Sequence, residues 1–141
     1  MYETILLTLE ATATDRAIID HVKKLAKVMG SRIVLLHIAT GVPAQFHGAD
    51  AGGQEIDEDQ TYLNQIKAEL EAEGIPAQAE LGYGDPPTQI IRWVQEKGCD
   101  LVAMSTHGHH FLADLILGQT ATKVRHEVSV PVLLLRAKAR S

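Results

Sequence analysis

The stretch Asp100-Leu101-Val102-Ala103-Met104-Ser105-Thr106-His107-Gly108 decides how this chain is read. After nine intervening residues come Gly118-Gln119-Thr120, and then Val130-Pro131-Val132-Leu133-Leu134-Leu135-Arg136. An apolar strand over Leu101 to Met104 enters a small-residue turn at Ser105 to Gly108. Gly118 opens a helix with apolar positions Ala121, Val124 and Val128, which leads to a second apolar strand over Val130 to Leu135. Strand, turn and helix N-terminus in this order present backbone N–H groups and a positive dipole end to an anion such as a phosphate.

The same alternation runs through the rest of the chain. Thr4 to Leu9 is strand-like, and Thr12 or Thr14 is placed to cap a helix carrying Ile18, Ile19, Val22, Leu25 and Met29 before Gly30 stops it. Arg32 to Ala39 is a nearly continuous apolar strand, the pattern of a strand covered on both faces. Thr40 to Glu55, rich in Gly, Ala, Asp and Gln, reads as a long loop, and Asp57 as the cap of a helix bearing Tyr62, Leu63, Ile66 and Leu70. Ile75 to Leu81 alternates apolar and polar residues, as a half-covered strand nearer an edge does. Gly82-Tyr83-Gly84 is read as a turn, because Pro87 stands where a dinucleotide fingerprint would place its third glycine. Asp85-Pro86 opens a helix with Ile90, Ile91 and Val94 on its apolar face, closed by Gly98. Alternating strands and helices predict an α/β fold: one domain over residues 1–141, a mostly parallel sheet with helices on both faces.

Composition narrows the function. A chain of 141 residues buries an adequate core without metal or disulfide staples. Its formal charge of −5, with basic residues gathered only at Arg136, Lys138 and Arg140, argues against nucleic acid as partner. Apolar runs fall short of the roughly 20 residues that span a bilayer, and no signal peptide is read, so a cytoplasmic location is expected. Cys99 is the lone cysteine, which leaves no intrachain disulfide and no cysteine-based metal cluster; it reads as a small buried residue rather than a nucleophile.

In open parallel sheets ligands sit beyond the carboxyl ends of the strands, where strand order reverses. The ends available are Thr8, Leu9 and Glu10 after the first strand, Ile38 and Ala39 after the second, and Met104 and Ser105 after the fourth. His107, His109 and His110 cluster nearby without a carboxylate or cysteine at ligand spacing, so no metal site is read there. Glu69, Glu71 and Glu73 read as a solvated helix face, and Trp93 as a packing residue.

From Ile5 to Arg136 the chain resembles the universal stress protein family. The resemblance rests on Asp100 to Met104, Thr106-His107-Gly108, Gly118, Pro131 to Leu135 and Gly84-Asp85-Pro86. It implies a Rossmann-like, three-layer domain whose five-stranded parallel sheet has the order 3-2-1-4-5, with a reversal between the first and fourth strands. Some members of the family bind ATP there and others have lost the site. The implied nucleotide-binding residues are Thr8, Leu9, Glu10, Ile38, Met104, Ser105, Gly108, His109, Gly118, Gln119 and Thr120. The ligand would be ATP or AMP, with Mg²⁺ accompanying ATP. Three positions depart from the family pattern: Ser105 replaces the first glycine, Gln119 the serine or threonine after the third, and Glu10 an aspartate. Three readings stay open, in this order: a regulatory stress-response module that binds adenine nucleotide, an interaction module with a degenerate site and an unknown protein partner, and a slow ATPase. The implied order puts the very apolar fifth strand at an edge. A homodimer through Val130, Val132, Leu133, Leu134 and Leu135 is therefore expected.

Overall fold

The computed structural model describes residues 1–39, 51–107, 123–124 and 126–137, with backbone alone for 51–57, 106, 107 and 137. Strands β1 (Thr4–Leu9), β2 (Arg32–Ala39), β3 (Ala77–Tyr83), β4 (Leu101–His107) and β5 (Val132–Ala137) form one parallel sheet in the order β3-β2-β1-β4-β5. Helices α1 (Asp15–Met29), α2 (Ala51–Ala72) and α3 (Pro86–Lys97) cover it, and Lys123, Val124, His126 and Glu127 are helical as well. No helix among the described residues is long and apolar enough to cross a membrane.

Alternation along the strands builds two cores. Ile5, Leu7, Leu9, Ile33, Leu35, Leu101 and Ala103 face α1 and α2, where Ile18, Ile19, Val22, Leu63, Ile66 and Leu70 fill the space between helices and sheet. Leu6, Val34, Leu36, Val102 and Met104 face the opposite way, onto Ile90, Val94 and Val124. The middle stretches of the central strands, Ile5 to Leu7, Ile33 to Leu36 and Leu101 to Met104, are apolar without a break because both of their faces are covered. At the other end of the sheet the Asp100 carboxylate accepts the Glu3 and Thr4 amides (2.9 and 3.0 Å), which pins the start of β4 to the start of β1.

Local chemistry moves several expected boundaries. Thr14 stands at the N-cap of α1 but its side chain caps nothing, its hydroxyl bonding that of Thr12 instead; Asp15 takes the upstream amides, and a carboxylate accepts more strongly than a hydroxyl. Helix α2 starts at Ala51, so Asp57 lies inside it rather than at its cap and Ala51 to Glu55 are not loop. Gly52 and Gly53 masked this start, although Gln54 and Glu55 are good helix formers. Asp85 caps α3 as expected, accepting the Thr88 amide at 3.2 Å. Strand β4 runs through Ser105 to His107, which continue the ladder with β5 as far as Ala137 and do not turn. Strands β3 and β5 begin two residues later than expected because Pro76 and Pro131, which lack an N–H, contribute only their carbonyls, to Ile33 and Val102 (2.9 and 3.0 Å). Gly82 and Tyr83 are also strand, paired with Ile38 and Ala39, and the chain turns only at Gly84 (φ +112°). A Cβ on Gly82 would stand 3.3 Å from Trp93 Nε1, so this glycine makes room for an indole rather than a turn.

Glu69 and Glu73 are not simply solvated. They join α2 to α1: Glu69 lies 2.7 Å from both Arg16 and Lys23, and Glu73 is 2.9 Å from Lys23 and also pairs with Lys27. Glu71 has only Lys67, at 3.8 Å. Hydrogen bonds from Arg16, then Lys23, hold the Glu69 carboxyl at about 2, below its ordinary 4.5. A carboxyl depressed in the folded state contributes its full stability above pH 4.5 and loses it as pH falls toward 2. The urea midpoint should fall through that window, and Glu69→Gln should flatten the fall by about 1 kcal/mol. Equal acid sensitivity in the two proteins would refute the assignment.

Candidate functional site

The sheet opens at its carboxyl end. Strands β1 and β4 pair from Ile5↔Leu101 to Leu7↔Ala103 and no further, a 3.4 Å bond from Thr8 Oγ1 to the Ala103 carbonyl being the last link. Beyond it β1 continues beside β2 to Leu9↔His37, whereas β4 continues beside β5 to His107↔Ala137. The chain crosses outward to β2 and β3 on one side and to β5 on the other, so the two strands part where strand order reverses.

The chain leaving β1 wraps a buried anion of its own. Asp15 is 0% exposed, and its carboxylate accepts the amides of Glu10 (2.9 Å), Ala11 (2.8 Å) and Thr12 (3.4 Å) together with the Tyr62 hydroxyl of α2 (2.8 Å). Ala11 takes a left-handed backbone, φ +65°, to aim these amides inward. Burial, and then the bond to Asp15, push the Tyr62 phenol well above its ordinary value, so it stays protonated and donates. The preceding carbonyl, Leu9, accepts from His37 Nδ1 at 2.9 Å, and His37 Nε2 lies 3.2 Å from Asp59 Oδ2 on α2.

The residues expected at the site divide by what their side chains do. Leu9 and Met104 are core residues on opposite faces, so only their backbones reach the opening. Ile38 packs partly buried on the α3 face. Thr8 is half-buried at the last link, and Glu10 is exposed on the exit turn. Ser105 lies two residues past the end of the β1–β4 ladder, on the face of Leu101 and Ala103. It is 5% exposed, and its hydroxyl has no hydrogen-bond partner among the described residues. A buried hydroxyl without a partner is costly and needs a reason. Gly108, His109, His110, Gly118, Gln119 and Thr120 lie outside the described residues. Burial raises the Cys99 thiol to about 11, which leaves it protonated and inert at neutral pH.

Four residues were not read as part of this region: Asp15, His37, Asp59 and Tyr62. Two of them left a signal. A tyrosine in an otherwise apolar helix stripe needs a partner for its hydroxyl, and a histidine inside an apolar strand needs partners for its ring nitrogens.

With this geometry in view, the sequence model of the universal stress protein family matches residues 1–136. The chain belongs to the universal stress protein family. A universal stress protein of Methanocaldococcus jannaschii is 24% identical over 157 residues, covering 98% of this chain and 97% of its own. Its solved structure aligns with a TM-score of 0.82 over 99% of each chain. A universal stress protein solved in complex with cAMP aligns at TM-score 0.70 and 14% identity, over 97% of this chain and 98% of that one. The Archaeoglobus fulgidus universal stress protein, solved in complex with dAMP, aligns at TM-score 0.69 and 15% identity, over 94% and 97%. At these identities the shared property is the fold, and the strand order of this universal stress protein is the 3-2-1-4-5 that the family resemblance implied.

Proposed function

We propose that this universal stress protein binds an adenine nucleotide at the opening between β1 and β4 and acts as a dimeric regulatory module in stress response rather than as an enzyme. The observation that carries this reading is the parting of the two strands past Leu7 and Ala103. In open parallel sheets that is where a mononucleotide binds, outside the carboxyl ends of the strands. Ser105 adds a buried hydroxyl in search of a partner at that level of the sheet. Two structural neighbours are complexes with adenine nucleotides. In this reading Glu10 faces the nucleoside, the backbone at Gly108 and Gly118 cradles phosphate, and Mg²⁺ accompanies ATP. The ligand acts through its different affinities for two states of the protein.

A second reading, an interaction module free of nucleotide, draws on a specific observation. Asp15 already occupies the amides of Glu10, Ala11 and Thr12, so these three donors are not available to a phosphate. The phosphate contacts then rest wholly on residues 105–120. Calorimetric titration of ATP and AMP with Mg²⁺ into the purified protein and into Gly118→Val separates the readings. Submillimolar binding lost at least about tenfold in the variant is the expected result, since a side chain there would block the approach of phosphate to the backbone. Heat in neither protein would leave the interaction module.

The dimer is proposed to form through the edge strand β5. Val132, Leu133 and Leu135 pack partly against the two cores, whereas Leu134 is a large apolar residue 41% exposed.

A further inference from the structure

Among the described residues, helix α2 reaches the proposed nucleotide site through intermediaries, and it does so twice. Asp59 and Tyr62 are three residues apart on α2 and so share one face. Tyr62 reaches the Asp15 carboxylate, which holds the Glu10, Ala11 and Thr12 amides. Asp59 reaches His37, whose other ring nitrogen holds the Leu9 carbonyl. Four consecutive residues of the chain leaving β1, Leu9 to Thr12, therefore have a backbone polar group fixed by a side chain that α2 in turn fixes. Ala11 sits at φ +65° within this segment, a conformation that costs an alanine about 1 kcal/mol and persists only where its surroundings impose it.

We infer that Asp59 and Tyr62 are positioning residues: through His37 and Asp15 they make the shape of Leu9–Thr12, and hence the stance of Glu10, depend on the docking of α2. The inference rests on the nucleotide reading for its consequence, but the dependence of the turn on α2 can be observed without nucleotide. Linkage then works in both directions. A nucleotide that requires this shape of the turn favours docked α2, and anything that displaces α2 weakens the nucleotide. The helix that follows residues 40–50 thus becomes the element that reads the site.

The test uses Tyr62→Phe, which removes a single oxygen, and Asp59→Asn, with Glu71→Gln on the solvent side of the same helix as control. Amide hydrogen exchange of Glu10, Ala11 and Thr12 is followed in the nucleotide-free protein, and ATP binding is measured by calorimetry. Exchange of these amides should speed about tenfold in Tyr62→Phe, with the β1 interior unchanged. The ATP dissociation constant should rise about five- to tenfold in each of the two variants, and the control should match wild type. Unchanged exchange in Tyr62→Phe together with unchanged affinity in both variants overturns the inference. So does faster exchange with unaltered ATP affinity, since the residues would then stiffen the turn without positioning it. If wild type binds no ATP, the nucleotide reading fails by itself. Exchange alone then decides whether α2 sets the turn.

Discussion

Asp15→Ala is expected to lose about 3 kcal/mol of stability, roughly 10 °C in Tm, in a protein that still folds into the same sheet. The substitution removes an acceptor shared by three backbone amides and a tyrosine hydroxyl, and alanine offers nothing in return. These donors were taken from water to bond a charge, and a bond to a charge is worth more than one between neutral groups. The methyl group also leaves Ala11 in a left-handed conformation with nothing to enforce it. Asp15→Asn should cost about half as much, because one oxygen survives while the amide N–H₂ opposes the backbone donors. Urea unfolding of the three proteins checks the series. A loss below about 1 kcal/mol in the alanine variant would mean that water replaces the carboxylate freely, and the turn would not be held as described. The same variant should show the largest loss of ATP affinity of any substitution outside the proposed contact residues, since it releases the turn that sets the stance of Glu10.

How far the sequence carried the reading follows from what each signal depends on. The strands were legible because Ile33 to Leu36 and Leu101 to Met104 are apolar without a break, a pattern set by burial on both faces. The reversal between β1 and β4 followed from a resemblance, and the strand order agrees with it. Positions at the strand ends were legible as positions but not as orientations: Leu9 and Met104 stand at the opening yet turn their side chains into opposite cores. For long-range polar partnerships the need of Tyr62 and His37 for a partner was legible, but which residue answers it was not. Nothing local marks Asp15 as the acceptor of Tyr62, 47 residues away, or Glu69 as the partner of Arg16, 53 residues away. Gly82 misled for a related reason: a glycine between apolar strand residues and Gly84 looks like a turn until the indole of Trp93 is known to lie against it. The start of α2 was hidden by two glycines whose cost the rest of that helix offsets. Apart from that helix start, what defeated local reading was a tertiary partner.

If the proposed dimer forms through β5, Leu134→Lys is expected to convert it into a folded monomer, with its dissociation constant raised by about a hundredfold or more. Strand β5 gives one edge to β4, and among the described residues no strand pairs with its other edge along Val132 to Leu135, where no charged side chain stands until Arg136. An apolar open edge of this kind pairs with another strand unless something covers it, and a second copy related by a two-fold axis can cover it with an identical antiparallel strand. The choice of residue matters. Leu133 and Leu135 pack against the core that holds Leu101 and Ala103, so a charge at either would damage the fold as well as the interface, and aggregation would be uninformative. Leu134 belongs to neither core and is 41% exposed, so a lysine there leaves the interior intact and charges only the outer surface. Light scattering should give half the wild-type mass with an unchanged melting profile at high dilution. ATP affinity should stay within about twofold, because the nucleotide is proposed to sit between β1 and β4, with β4 separating it from this edge. An unchanged dimer would place the contact on another surface. A monomer that has also lost ATP would make the nucleotide site depend on the partner, and the single-chain reading of the opening would have to be abandoned.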